Sequence, residues 1–231
     1  MDVKLGIMQP YFLPYIGYFQ LIKAVDRYAI ADDLNYIKQG WINRNYLLLN
    51  GSPFLFHLAL IGASINKKIN EIYVADDQYK LLKTIEVNYR KSPYFKDVFP
   101  LIEGIIRYED KNLGRYVGNS IIKIAKYLRI NTEFLYNSDH ECDRLLKGQE
   151  RVISDCLLYG AKEYINAIGG VELYDQESFR KNDIDLYFLK PKPIEYKQYN
   201  HPFVPKLSIL DMLMFNSVEQ TNEILMQFEL L

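Results

Sequence analysis

Several chemistries are excluded by what this chain has little of. It holds only two cysteines, Cys142 and Cys156, and they form no Cys-x-x-Cys pair, so neither a disulfide framework nor a zinc knuckle is supported. It has three histidines and one tryptophan. No Gly-x-Ser-x-Gly run is present, which removes the nucleophile elbow of the Ser-His-Asp hydrolases. No apolar stretch approaches the roughly 20 residues that span a bilayer, so no membrane insertion is expected. The opening run Met1-Asp2-Val3-Lys4-Leu5 lacks the basic start and apolar core of a secretory signal, and a cytoplasmic protein is expected. Charge of one sign is missing too: the net charge is -1 with no block of like residues. A sequence-independent nucleic-acid binder normally carries a basic stripe, so there is no strong nucleic-acid signal.

Tyrosine is abundant instead, at 20 of 231 residues. A phenol offers a broad apolar ring with a polar tip and suits half-buried walls around polar ligands. An AT-rich genome would enrich the same residue, and composition does not separate the two readings.

Apolar patterning predicts an α/β protein of one domain, 1–231, with a mainly parallel sheet, helices on both faces and a helical middle section. Leu5–Met8 reads as a buried strand ended by Gln9-Pro10, and Pro14 fits the first turn of a helix running to Val25. Tyr28–Ala31 is the next strand. Strand, helix and strand at this spacing form a βαβ unit, whose two strands should lie parallel as near-neighbours. A hairpin is expected around Asn50-Gly51, with strands at Tyr46–Leu49 and Phe54–Ala59. Further strands are expected at Glu71–Val74, Thr132–Tyr136, Tyr164–Asn166 and Ile184–Phe188. Helices are expected at Gln78–Tyr89, Phe95–Ile106, Leu113–Leu128 and Asp143–Leu158, with a final pair from Ser208.

The strongest local feature runs from Gly6 to Phe19. A proline-bounded loop that opens a helix presents free amides at the carboxyl edge of the sheet, where ligands of open α/β sheets bind. This predicts anion binding by the loop from Gln9 to Gly17, with Gly17 leaving room for close approach. A tight, empty turn fits the same pattern. Past the second strand stand Asp32-Asp33, suited to an amine, ribose or metal, or to a solvated turn. Arg44 follows between Asn43 and Asn45, and a guanidinium grips phosphate or carboxylate in bidentate fashion. We expect Arg44 to project into one cleft with Asp32 and Gln9. His201, in a loop beside Pro202, is a candidate for acid–base work. His57 reads as a core histidine. His140-Glu141-Cys142-Asp143 reads as the acidic start of a helix rather than a metal site.

These residues carry a resemblance. Ile7–Phe19, Asp32–Tyr36, Trp41–Asn45, Tyr164–Gly170 with Tyr174, and Leu207–Leu213 resemble the signature of the WbqC-like family from about Leu5 to Asn216. Asn166-Ala167 stands where family members usually have Ser-Gly, and Tyr15 where Trp is common. The resemblance implies O-antigen or related polysaccharide biosynthesis. Its proposed chemistry is transfer of glycine or a similar acyl group to an amino sugar.

The first loop is also similar to that of nucleotidyltransferases and class I aminoacyl-tRNA synthetases, which hold ATP phosphates there. Tyr15 and Tyr18 occupy the places of the expected histidines, and Pro205-Lys206-Leu207-Ser208 stands in for the later lysine–serine loop. That likeness implies a Rossmann-like sheet and ATP with Mg as cofactors, the acyl group passing through an adenylate.

The expected function is therefore a transferase acting on a nucleotide-linked amino sugar with a small amino-acid or acyl donor. A non-catalytic sugar-nucleotide-binding scaffold and a nucleotidyltransferase are the alternatives, and a homo-oligomer is left open. Gln9, Tyr11, Gly17, Tyr18, Asn43, Arg44, Asn45 and Lys206 are the binding candidates. Asp32, Asp33 and His201 are the catalytic ones, and no dedicated protein metal site is expected.

Overall fold

The computed structural model describes residues 2–76 and 78–231. Its strands are β1 Val3–Met8, β2 Arg27–Ile30, β3 Arg44–Leu49, β4 Ser52–His57, β5 Leu60–Ile61, β6 Tyr73–Val74, β7 Glu133–Tyr136, β8 Ala161–Ala167, β9 Asp185–Pro191 and β10 Phe228–Leu230. The α-helices are α1 Ile16–Ala24, α2 Tyr79–Tyr89, α3 Phe95–Ile106, α4 Leu113–Tyr127, α5 Gly148–Leu158, α6 Gln176–Arg180, α7 Ile209–Phe215 and α8 Val218–Leu225. Among the described residues no helix is long and apolar enough to cross a membrane.

The central sheet runs β10-β9-β8-β1-β2-β7. The pairs β1–β2, β2–β7, β1–β8 and β8–β9 are parallel, and only β10 joins antiparallel. The expected βαβ unit is present, with Leu5 opposite Arg27 and Met8 opposite Ile30. From β1 the chain first builds outward through β2 and β7, then returns to add β8 and β9 on the other side. The carboxyl ends of β1 and β8 thus lead away in opposite directions. A crevice at that switch point is the ordinary ligand position in open α/β sheets.

Alternation along the strands produces two cores. Tyr28 and Ile30 point into the larger one, with α1 to α4 and the final helices. Leu5, Ala29 and Tyr164 point into the smaller one, against Cys156 of α5 and Phe179 of α6. Helices therefore cover both faces, as the patterning predicted. Phe12, Tyr18 and Phe19 are fully buried in the larger core, and each such ring contributes roughly 1.5–3 kcal/mol of transfer free energy.

Between β2 and β7 lies a long insert. It begins with the β3–β4 hairpin, whose turn residues Asn50 and Gly51 have φ of 50° and 75°. Both central residues left-handed is the turn that matches strand twist, which is why Asn-Gly marked it. β5 and β6 form a separate two-stranded ribbon.

Several boundaries differ from expectation. Pro14 lies before α1, whose N-cap is Tyr15. The helix expected at Asp143 starts at Gly148, so His140–Asp143 lie before it in turn and irregular backbone and are not its acidic start. Only Tyr73–Val74 of the Glu71 segment is strand, and it pairs with Leu60–Ile61 outside the main sheet. The second hairpin strand ends at His57, which is exposed rather than in the core. β10 carried no sequence signal: three residues are too short for a period to register.

Candidate functional site

The loop after β1 is held by two segments remote in sequence. The Phe12 amide donates to the Ile42 carbonyl at 3.1 Å. Leu13 has a left-handed φ of 45°, costly for a branched side chain. Its carbonyl accepts from Asn45 Nδ2 at 2.8 Å and Ser208 Oγ at 2.7 Å, which fixes that conformation. The Ile209 amide donates to the Pro14 carbonyl at 2.8 Å, and the Ser208 amide to the Tyr46 carbonyl at 2.9 Å. Loop, hairpin and the N-terminus of α7 are thereby locked together at the carboxyl edge of the sheet.

Two cavities flank this junction. One, of about 370 Å³, is walled by Tyr11, Pro14, Tyr15, Trp41, Tyr46 and Lys206, with Asn45 at its base. Trp41 is 42% exposed, and its ring lies 5.9 Å from that of Tyr46. The second, of about 400 Å³, lies between α1, the segment after β9 and the start of α7. Tyr15 and Lys206 line both, so the two form one groove partitioned by a phenol and an ammonium. Burial raises the pKa of Tyr11 and Tyr15, Tyr15 adding to the effect on Tyr11, so both are neutral hydrogen-bonding groups at pH 7. Lys206 is exposed, has a left-handed φ of 60°, and makes no ion pair or hydrogen bond among the described residues.

Of the sequence candidates, Tyr11, Asn45 and Lys206 meet at this groove, although Asn45 is buried with both amide atoms engaged, Oδ1 accepting from the Tyr46 amide. The others lie elsewhere or point inward. Tyr18 is fully buried and donates to the Gln9 carbonyl at 2.9 Å, which removes it from ligand contact. Gly17 is covered by Tyr15: a Cβ there would stand 2.7 Å from the ring Cζ, so the space serves the phenol rather than a phosphate. No side chain caps the first amides of α1. Asn43 bridges Tyr36 and the Leu58 carbonyl, each at 3.0 Å.

Arg44 does not share a cleft with Asp32 and Gln9. Its guanidinium donates to the Gly40 carbonyl at 2.9 Å and to the Gln39 carbonyl, and it lies 5.5 Å over the Trp41 ring. Among the described residues the Gln9 side chain reaches only the Asn35 carbonyl, at 3.5 Å. His201 is exposed and rests against the hairpin turn, where a Cβ on Gly51 would stand 2.8 Å from its Cγ.

The two acids at the end of β2 diverge. Asp32 is completely buried and accepts from the Ser138 amide at 3.0 Å and Ser138 Oγ at 2.6 Å. Burial raises its pKa, and the two Ser138 bonds pull against that rise. Asp33 pairs instead with Arg151 at 2.8 Å, and Arg151 also bonds Asp155 at 3.1 Å. Arg144 approaches Asp33 at 3.6 Å. Burial works against the Arg151 charge, but Asp33 and Asp155 outweigh it and hold its pKa up. This buried network fastens α5 to the sheet. Neither carboxylate lines the groove, and no group of three or more His, Cys, Asp or Glu among the described residues is placed to hold a metal ion.

Sequence reasoning did not nominate Tyr15, Trp41 or Tyr46 as site residues. The excess of tyrosine was the available signal, but composition does not say which rings share a wall.

A profile of the WbqC-like protein family matches residues 9–223. The chain belongs to the WbqC-like family. Its sequence is 28% identical over 216 residues to "Uncharacterized protein Rv1507c" of Mycobacterium tuberculosis, covering 91% of this chain and 92% of that protein. No solved structure matches it. The match spans the first loop, Trp41 and Lys206, so both halves of the groove fall within the family region.

Proposed function

We propose that this WbqC-like protein binds a nucleotide-linked amino sugar in the aromatic groove and serves surface-polysaccharide assembly in the cytoplasm as an acyl or aminoacyl transferase. The observation that carries the reading is the groove itself: Tyr11, Tyr15, Trp41 and Tyr46 around one unpaired ammonium, Lys206. Aromatic faces stack on a base or on the apolar face of a sugar ring, and the ammonium meets a phosphate. The strand order supports nucleotide binding. Numbered in chain order, the parallel strands read 3-2-1-4-5 across the sheet, the order of Rossmann-like dinucleotide binders.

In this reading Lys206 is the group available to stabilise negative charge developing on an acyl oxygen. ATP with Mg fits the residues poorly. The expected magnesium ligands Asp32 and Asp33 are engaged by Ser138 and Arg151, so no step is assigned to an adenylate. The same engagement favours a second reading, a sugar-nucleotide-binding scaffold without catalysis.

Calorimetry with UDP-N-acetylglucosamine and with ATP tests the proposal. Binding of the sugar nucleotide should weaken by about 1–3 kcal/mol in Trp41→Ala, the usual worth of one base–aromatic stack. Equal affinity in wild type and variant would remove the groove from the site.

A further inference from the structure

The second compartment offers a ligand almost nothing polar. Pro193, Ile194, Phe203, Leu207, Ile209 and Met212 form its walls. Three of the polar side chains among its lining are already engaged within the protein. Tyr196 donates to Asp211 at 2.7 Å, and Ser208 donates to the Leu13 carbonyl at 2.7 Å. Lys192 pairs with Glu229 at 3.8 Å. That leaves the Tyr15 hydroxyl and Lys206, both at the boundary with the Trp41 compartment, with Lys206 the one unengaged charge among the described lining residues. A site of about 400 Å³ with such walls discriminates by apolar volume. Glycine, with no side chain, would leave it empty, and burying its polar ends among unpaired apolar walls is unfavourable.

We propose that this compartment binds a hydrophobic acyl chain, with its carbonyl end at Lys206 facing the sugar-nucleotide compartment. The acyl group arrives as a thioester. The sugar amine attacks the carbonyl carbon, a C–N bond forms as the C–S bond breaks, and the thiolate leaves and takes up the proton lost by nitrogen. The Lys206 ammonium faces the oxygen on which charge gathers. The step rests on the sugar-nucleotide reading for its acceptor; the acyl pocket stands on its own walls.

A chain-length series decides it: acetyl, butanoyl, hexanoyl and octanoyl thioesters of N-acetylcysteamine, titrated into wild type. Affinity should rise with length, with octanoyl at least ten-fold tighter than acetyl. Ile194→Trp, at the half-buried rim, should abolish the octanoyl gain and leave UDP-N-acetylglucosamine binding unchanged, while Trp41→Ala should do the reverse. Equal affinity along the series overturns the proposal whether or not the variant folds. Length-dependent binding with no N-octanoyl product formed from UDP-glucosamine keeps the pocket but overturns the transfer step. Length-dependent acyl binding without sugar-nucleotide binding overturns the acceptor reading alone. Formation of the N-octanoyl sugar nucleotide from UDP-glucosamine, followed by mass spectrometry, supports the whole sequence.

Discussion

The ring of Tyr15 lies across the α-carbon of Gly17, with its Cζ and hydroxyl oxygen each 2.7 Å from where a Cβ would stand. The glycine therefore sets where the phenol rests, and the phenol sets the partition of the groove.

Replacing Gly17 by alanine should reshape the groove at little cost in stability. The methyl forces the ring outward, and Tyr15 is 40% exposed, so solvent accepts it. Helix propensity favours alanine over glycine by roughly 1 kcal/mol, which offsets the lost packing. Urea unfolding should move by under about 1 kcal/mol, while sugar-nucleotide affinity falls. A stability loss of several kcal/mol with affinity intact would mean that the ring is a core residue and not a partition.

Lys206→Gly should separate stability from binding more sharply. A non-glycine residue at φ 60° carries strain, and relieving it at a left-handed position should stabilise the fold by about 0.5–1 kcal/mol. The same change removes the groove's unpaired cation. Thermal unfolding should therefore shift upward as affinity for an anionic ligand drops. A fall in both would place the lysine's value in packing.

Asp211 gives a pH signature. Its carboxylate accepts from Tyr89 at 2.9 Å and from Tyr196 and Gln198 at 2.7 Å, with no cation paired to it among the described residues. Burial raises its pKa, and the three donors only partly oppose the rise. A folded-state pKa above the unfolded value of 3.8 makes its contribution full below that pH, declining as pH rises through the folded value. The destabilisation caused by Asp211→Asn should therefore grow as pH falls from 7 toward 4. Urea titrations of both proteins across that range measure it, and a pH-independent difference would contradict the assignment.

The scaffold was legible because its signals are local. The first crossover followed from a strand, a helix and a strand at fixed spacing, and the hairpin from Asn50-Gly51 alone. The groove was less legible because it joins Trp41 to Lys206, and no periodicity says which distant loops meet. Asp32 and Asp33 show the limit most clearly. Read as one acidic site, they lie in the turn past β2 and go separate ways, to Ser138 and to Arg151, partners more than 100 residues on that no local pattern reveals. Arg44 misled for a related reason: a guanidinium between two asparagines looks like a ligand clamp, yet backbone carbonyls at Gln39 and Gly40 and the Trp41 face satisfy it.

The lock on Leu13 bears on how the chain matures. Its carbonyl waits for Ser208, and Tyr46 waits for the same residue's amide. Contacts across such separations are slow to form, because the ends of a long loop must find each other before the bond rewards them. On the ribosome, the sheet strands up to β7 can pair while Ser208 is still untranslated. The groove is thus assembled only after the last helices emerge, so a nascent or C-terminally clipped chain would carry the parallel strands of the sheet yet have no place for its ligand.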